Sequence, residues 1–468
     1  MHDLTRGPIL KQIIWFTIPL LIGNIFQQMY TVIDTLIRDR TFGGNAVAGV
    51  GSPGSFFMLI IVFAKSTTAG LAIVTAQRYG SRDLQGVKKS FAASIVISLV
   101  ISAVLTALSL TFTMPLLRLM QTPEDIIHDA ASFISVLFGG IVIAVFYNLF
   151  ANMLRALGDS RTPLIFLILA CIVNIGLDFW FILGFHMGVA GAGYASLTAQ
   201  GLSAVLSGLY IWRRVPVLVL RRKDFRGLTK QIFPHIRIGL PMGFQASIIS
   251  IGSLIIQIML NTLGSQSVAA YTAAARIDGL ATMPAMSFGI TMATFAAQNL
   301  GARHYDRIRQ GVKKALITSV TVSIVLGTSI ILLGRPLVNM FVGNHQPHIT
   351  SMAQIYFHFN ASMYFLLAIL FIVRYTLQGL GQSMVPTIAG VMELVMRTFA
   401  GLILVHLFGF AGASAANPLA WLGSLIVLIS SYVQTMRKLK SLAINQPVAE
   451  TPLPLGRGQH PLEQHHQS

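Results

Sequence analysis

Twelve stretches of this chain stay apolar for about 20 residues or more, and that pattern decides most of what it can fold into. A helix rising 1.5 Å per residue needs about 20 residues to cross roughly 30 Å of hydrocarbon. Inside lipid every backbone N–H and C=O must pair within the protein, so each run is read as a helix. The runs lie roughly at 13–37, 47–75, 90–112, 131–153, 163–185 and 189–212, then at 236–262, 268–298, 313–333, 352–378, 385–408 and 411–436. The first is too long for a cleavable signal peptide, and no small-residue cleavage site ends it. Hydrophobic residues make up 54% of the chain and charged residues 10%, against about 25% charged in soluble domains. So few charges cannot solvate a soluble globule, and a chain this apolar is not disordered. The single cysteine, Cys171, rules out a disulfide scaffold and a Cys-built zinc site.

The net charge is +18. A soluble protein so basic would suggest nucleic acid as a partner. In a membrane protein a basic excess instead marks the loops held on the cytoplasmic side. Of the 33 Lys and Arg, 25 fall in loops on the side of the N-terminus, Arg155 and Arg161 among them. Only Arg38, Arg40, Arg118 and Arg335 fall on the other side, while Lys65, Arg276, Arg374 and Arg397 lie inside runs. This asymmetry predicts an even number of spans with both termini cytoplasmic, and no nucleic-acid partner. The basic stretch 213–235 reads as a cytoplasmic linker, with a specific anionic-lipid site as the sharper alternative. The polar segment 437–468, with His460, His465 and His466, reads as a disordered cytoplasmic tail.

The two halves repeat. Gly86-Val87-Lys88-Lys89-Ser90 returns as Gly311-Val312-Lys313-Lys314-Ala315, and Ala76-Gln77 with Gly80 and Arg82 returns as Ala297-Gln298 with Gly301 and Arg303. Leu157-Gly158 returns as Leu380-Gly381, and Gly188 to Ala192 returns as Gly409 to Ala413. A nearly constant offset over four blocks is expected of an internal duplication. Six spans in each half start both on the same side, giving parallel repeats about an axis along the membrane normal. The expected fold is an all-α polytopic membrane protein: 12 transmembrane helices in two six-helix lobes, 1–212 and 236–436, related by a pseudo-twofold parallel repeat. Two such lobes enclose a cavity that rocking opens to each side in turn, which favours a secondary transporter. No Walker A sequence, dinucleotide loop or Ser-centred elbow supports an enzyme.

Acidic residues in the spans are few: Asp34, Asp178, Asp278 and Glu393. A carboxylate at membrane depth costs a few kcal/mol, so it usually serves an ion or substrate path. Asn174 and Asp178 share one helix face at i, i+4. Such an oxygen cluster holds a proton through a raised pKa or coordinates Na⁺. The alternative for Asp34 and Asp178 is a structural pair with Lys65. Glu393 and Arg397, also at i, i+4, read as an intrahelical ion pair. Arg276 and Asp278, two apart, do not face each other. His186, His358 and His406 have no metal-ligand spacing.

Pro19-Leu20-Leu21-Ile22-Gly23-Asn24 with Gln27-Gln28-Met29-Tyr30 and Ile33-Asp34-Thr35 resembles the first span of the multidrug and toxic compound extrusion (MATE) transporters. Ala296 to Arg303, Asn174 to Asp178, Gly188 to Ala192 and Glu393 to Arg397 are similar to further motifs of that family. The resemblance covers about residues 6–436. It implies an antiporter that exports drug-like, cationic amphipathic compounds by alternating access, in exchange for inward H⁺ or Na⁺, without a cofactor. It implies an ion-coupling site at Asp34, Asn174, Asp178 and Ser196, the last standing where many members have Thr. A Na⁺ at Asp34, Asn174 and Asp178 is the one metal expected. Tyr30, Lys65 and Gln245 are expected at the substrate cavity. The glutamate that NorM-type members carry in span 7 is missing after Pro241, which points to the DinF-type branch. Arg38-Asp39-Arg40 and Lys65 depart from the family pattern. A monomer in the bacterial inner membrane is expected, with the lipid bilayer and a small-molecule substrate as partners. The competing readings are a lipid or glycolipid precursor flippase of the same superfamily, favoured by Lys65, and a non-coupled channel.

Overall fold

The computed structural model describes residues 3–119, 127–185, 187–343 and 346–445, with the side chains of 32–56 and of a few isolated positions outside the description. Asp34, Arg38-Asp39-Arg40, His186 and the histidines of the tail therefore lie outside the described side chains.

The described chain is helical from end to end. In order it forms α1 (Ile9–Gly80), α2 (Leu84–Leu119), α3 (Ile127–Gly139), α4 (Ile141–Ala156), α5 (Arg161–Asp178) and α6 (Gly188–Arg214). Then follow α7 (Thr229–Asn261), α8 (Ser265–Gly301), α9 (Tyr305–Val342), α10 (Pro347–Asn360), α11 (Tyr364–Gly379), α12 (Met384–Phe399), α13 (Val405–Phe408), α14 (Phe410–Ser414) and α15 (Ala416–Ile444). Ten helical segments are long and apolar enough to cross a membrane, or 11 when α3 and α4 count as one span bent by 43°. That bend falls at Gly139-Gly140, a pair that weakens the helix ladder. The remaining span is α6. Its 27 residues are ample for the bilayer, but Gly, Ala, Ser and Thr dilute its apolarity; such small residues let neighbouring helices approach closely.

α1 contributes two spans, Ile9–Thr31 and Phe57–Gly80. The N–H of Leu4, just before the first, donates to Gln298 Oε1 at 3.1 Å. Gly80, at the end of the second, touches the Gln298 backbone. Both ends of this 72-residue segment thus meet one point of α8, so its two spans run antiparallel. Along their length the first packs on α8, where Thr17 and Thr291 hydroxyls pair at 2.8 Å. The second packs on α7, where a Cβ on Gly70 would come within 2.6 Å of Gly239 Cα. The lobes are tied by these two crossed helix pairs.

The repeat seen in the sequence is built into the backbone. Arg82 and Arg303 adopt φ of 61° and 58°, and Gly158 and Gly381 adopt 84° and 82°. Each ends a helix with a left-handed residue followed by an N–H that reaches back five residues: Asp83 to Arg78, His304 to Asn299, Asp159 to Leu154 and Gln382 to Leu377. This closure satisfies carbonyls the helix end would leave open. At Arg82 and Arg303 it is made without glycine, at a backbone cost. Spans 5 and 11 share a second irregularity, a π-helical turn at Phe179–Gly184 and at Ala400–Leu404. Such turns interrupt the ladder and recur at functional sites.

Candidate functional site

Four residues named from the sequence come together in the N-terminal half. Asp178 is the last residue of α5 before the π turn and is fully buried; Asn174, one turn earlier, is 3% exposed. With its amide turned to satisfy both ends, Asn174 Nδ2 donates to Asp178 Oδ2 at 2.7 Å and meets the Tyr30 hydroxyl at 3.0 Å. Its Oδ1 accepts from the Ser196 N–H at 3.0 Å and from the Ser196 hydroxyl at 3.1 Å. Three spans therefore converge: Tyr30 from the first, Asn174 and Asp178 from the fifth, Ser196 from the sixth. Tyr30, expected at the substrate cavity, belongs to this cluster and is absent from the cavity lining.

That cavity, of about 380 Å³, lies between the two halves and is walled by parts of α1, α4, α7, α8 and α11. Lys65 and Gln245 line it. Gln245 Oε1 accepts from Gln378 Nε2 at 2.6 Å. Lys65 forms no ion pair among the described residues, and Asp34, one of its two possible partners, lies outside the described side chains. Two further cations on the wall escaped the sequence reading. Arg155, counted among the loop residues, is the penultimate residue of α4 and faces the cavity, with Nη1 donating to Asn152 Oδ1 at 3.1 Å. Arg374 reaches the wall from α11. The apolar run Met153-Leu154-Arg155-Ala156-Leu157 was the signal for the first.

Glu393 and Arg397 do pair, with Oε2 and Nη1 at 3.5 Å, and both are almost fully buried. The pair is part of a triad. Arg374 Nη2 also binds Glu393 Oε1 and donates to Ser424 Oγ at 2.9 Å. Arg397 Nε donates to Asn417 Oδ1 at 3.3 Å and Nη1 to the Ile249 carbonyl at 3.3 Å. Arg276 is exposed, while Asp278 accepts from the Tyr364 hydroxyl at 2.6 Å.

At the basic end of the bundle the halves are latched by reciprocal bonds. Gln77 Nε2 donates to the Gly379 carbonyl at 3.0 Å, and its repeat partner Gln298 donates to the Ala156 carbonyl at 2.7 Å. Between them the two backbones touch. A Cβ on Gly80 would sit 1.9 Å from the Gln298 oxygen, and one on Gly301 would sit 1.8 Å from the Gln77 oxygen.

Comparison with known proteins meets this geometry at the repeat. The family model MatE matches twice, over residues 19–180 and 241–403. The chain belongs to the MatE family. Among its relatives, the probable multidrug resistance protein YpnP of Bacillus subtilis is 29% identical over 309 residues, 66% of this chain and 68% of that one. The FAD transporter of Shewanella oneidensis is 24% identical over 347 residues, 73% and 76% of the two chains. DNA damage-inducible protein F of Escherichia coli is 25% identical over 203 residues, 42% and 43% of the chains, so a DinF-type protein stands among the relatives. Two solved structures share the fold. An outward-facing multidrug resistance MATE transporter has a TM-score of 0.84 at 24% identity, over 94% of this chain and 98% of that one. A MOP superfamily transporter from Pyrococcus furiosus, described as having a binding pocket of reverse polarity, has a TM-score of 0.85 at 23% identity over the same shares. The chain is thus a multi-pass membrane transporter of the MATE type, with 12 helices in two lobes.

Proposed function

We propose that this MATE transporter exports drug-like amphipathic compounds across the bacterial inner membrane by secondary active antiport, with Asp178 as the group that exchanges the coupling ion. The observation carrying this reading is the buried Asp178–Asn174–Ser196–Tyr30 cluster. A carboxylate out of water favours its protonated form, whereas hydrogen-bond donors and a nearby cation favour the charged one. A site with both influences binds and releases H⁺ or Na⁺ as water reaches it. Asp34, one helical turn beyond Tyr30, is the second carboxylate we assign to this site. The π turn directly after Asp178 interrupts the regular helix beside the cluster, an irregularity that recurs at functional sites.

Alternating access follows from two lobes meeting at a latch. The Gln77 and Gln298 bonds hold the basic end shut, and releasing both lets the lobes rock about their crossed helices. The excess of Lys and Arg at this end supports reading it as cytoplasmic, with both termini there. We take 1–212 and 236–436 as the lobes, 213–235 as the basic linker and 437–468 as the cytoplasmic tail. One cavity enclosed by two lobes of one chain makes the monomer the transport unit. The names of the relatives, multidrug resistance proteins and an FAD transporter, support small-molecule cargo.

The test is transport in proteoliposomes under an imposed proton or sodium gradient. Asp178→Asn keeps the size and hydrogen bonding of the side chain and removes its ability to exchange a cation. Gradient-driven flux should fall by about a hundredfold, equivalent to ~2.8 kcal/mol of lost coupling at 1.4 kcal/mol per decade. Unchanged flux in this variant, and in Asp34→Asn with Asp178→Asn, sinks the proposal.

A further inference from the structure

The charges on the wall of the central cavity have one sign. Lys65, Arg155 and Arg374 line it, and no Asp or Glu does among the described residues. Lys65 and Arg155 also line a smaller cavity walled by the N-terminal lobe and Ile290 of α8, so they stand where the two spaces adjoin. Neither forms an ion pair among the described residues. Arg374 shares the single carboxylate of Glu393 with Arg397, which leaves that triad one positive charge in excess.

On this wall three unmet buried donors stand against one unmet buried acceptor, Gln378 Oε1. Arg155 Nε, Arg374 Nε and Gln245 Nε2 are buried N–H donors with no partner. Arg374 is 6% exposed and Gln245 3%. Buried cations are costly in a membrane unless something compensates them, and an unmet buried donor adds its own desolvation cost. What would satisfy this wall is an occupant that brings negative charge and acceptor oxygens together. Guanidinium groups bind phosphate and carboxylate in this way, two N–H to two oxygens. The rest of the wall is apolar and aromatic, with Met242, Ile249, Phe371 and Tyr375 facing the space, which suits the body of a drug-sized compound.

We propose that the central cavity takes amphipathic organic anions carrying two or more negative charges, as phosphate or carboxylate, held by Lys65, Arg155 and Arg374. This rests on the transport reading above and names the substrate class of its cavity. It replaces the cationic cargo that the family resemblance implies, for which the wall offers no carboxylate among the described residues. Lys65 and Arg155 come from one lobe and Arg374 from the other. A polyanion between them neutralises both and draws the lobes together, so cargo binding and lobe closure are linked.

Carboxyfluorescein and rhodamine 123 share a xanthene ring and differ in charge, and their binding to the purified transporter in detergent needs no gradient. Carboxyfluorescein should bind about tenfold more tightly, and Lys65→Met and Arg155→Met should each weaken it by about tenfold, one decade of affinity. Rhodamine 123 should bind both variants no more weakly than the parent. Thermal melting of each variant checks that it is folded. Preference for rhodamine 123, or carboxyfluorescein binding indifferent to both substitutions, overturns the proposal. A second arm asks where the anion comes from. Translocation of NBD-labelled phosphatidylglycerol in proteoliposomes, lost in Lys65→Met, assigns the same chemistry to a lipid headgroup. Carboxyfluorescein binding without lipid translocation assigns it to soluble anions; the absence of both refutes it. Gradient-driven, Asp178-dependent flux of rhodamine 123 without anion binding sinks this inference and spares the transport reading. Anion binding without gradient-driven flux does the reverse.

Discussion

The two lobes share one helix plan and put opposite chemistry at the same place in it. In the register of the repeat, Asn174 corresponds to Arg397, Ser196 to Asn417, Asp178 to Gly401 and Tyr30 to Gly252. In the N-terminal lobe the Asn174 amide bridges Ser196, Tyr30 and the Asp178 carboxylate. In the C-terminal lobe a guanidinium occupies the equivalent position and bonds Asn417, the partner that replaces Ser196. It has room because residue 252 has no side chain: a Cβ there would approach Arg397 Cδ to 3.1 Å. One lobe thus keeps a buried carboxylate, the group proposed to exchange the coupling ion, and the other holds a cation covalently attached to its own helix. The lesson is that a duplicated fold need not hold a duplicated site. A tethered Arg397 fills the second place permanently and needs Glu393 to balance it.

The sharpest way to break this comparison is to remove the balance. Glu393→Gln leaves Arg374 and Arg397 buried with no carboxylate, and breaking a buried pair of this kind costs about 3–5 kcal/mol. Its thermal unfolding in detergent should show a loss of stability far beyond that of Asp178→Asn, which should lose transport and keep most of its stability. Equal destabilisation of the two variants would erase the distinction drawn between a fixed and an exchangeable charge.

A finer probe uses the paired positions 30 and 252. Gly252→Ala forces a methyl group against Arg397 and should destabilise the C-terminal lobe by about 1–3 kcal/mol, as overpacking does, with ion coupling retained. Tyr30→Phe removes only a hydroxyl from the Asn174 cluster. It should shift the gradient dependence of flux by the worth of one hydrogen bond, about 0.5–1.5 kcal/mol, with the melting curve little changed. An unaltered gradient dependence in Tyr30→Phe would detach that hydroxyl from the ion site.

Where the halves agree, the comparison predicts equality. Gln77→Ala and Gln298→Ala each remove one of two symmetric latch bonds, worth about 1 kcal/mol apiece. Each should bias the transporter by a similar amount toward opening at the basic end, read as faster labelling of cysteines placed in the cavity from that side. A large effect from one and none from the other would show that the latch is one-sided.

The smallest effect is expected in the connection between lobes, which the repeat does not duplicate. Asp224 accepts from the Arg221 N–H at 2.7 Å and from Gln85 Nε2 at 3.0 Å, tying this segment to the start of α2. Burial alone would raise its carboxyl, but these bonds and the charges of Lys88 and Lys223 outweigh it and hold the group below the usual carboxylate range. A carboxyl depressed by folding stabilises above its unfolded value, near pH 3.9, and that contribution disappears as pH falls through the folded value. Asp224→Asn should therefore melt slightly lower than the parent at pH 7, with the gap closing toward pH 3.

Much of this was legible in the residues, for a physical reason. Lipid imposes a minimum length and apolarity on every span, so hydropathy locates helices well, and a duplication with glycine-marked turns returns the same turns in space. What hydropathy does not encode is which face of a span meets which neighbour. Arg155 reads as a loop charge because it stands two residues before a glycine turn, yet that turn lies deep enough for its side chain to reach the cavity. Arg374 sits in an apolar run with no acid in its own helix, and its partner Glu393 is found only once α11 and α12 pack together. The i, i+4 spacing of Asn174 and Asp178 was readable because it is local. The role of Gly252 was not, since it depends on the approach of Arg397 from another helix.

The crossing of Gly80 and Gly301 bears on how such a molecule changes state. Two main chains that touch without side chains between them have nothing soft to deform. Their meeting cannot loosen by degrees, so it is either seated or parted. A joint of this kind acts as a snap fastener, and the lobes it joins should spend their time at two extremes of tilt with little population between.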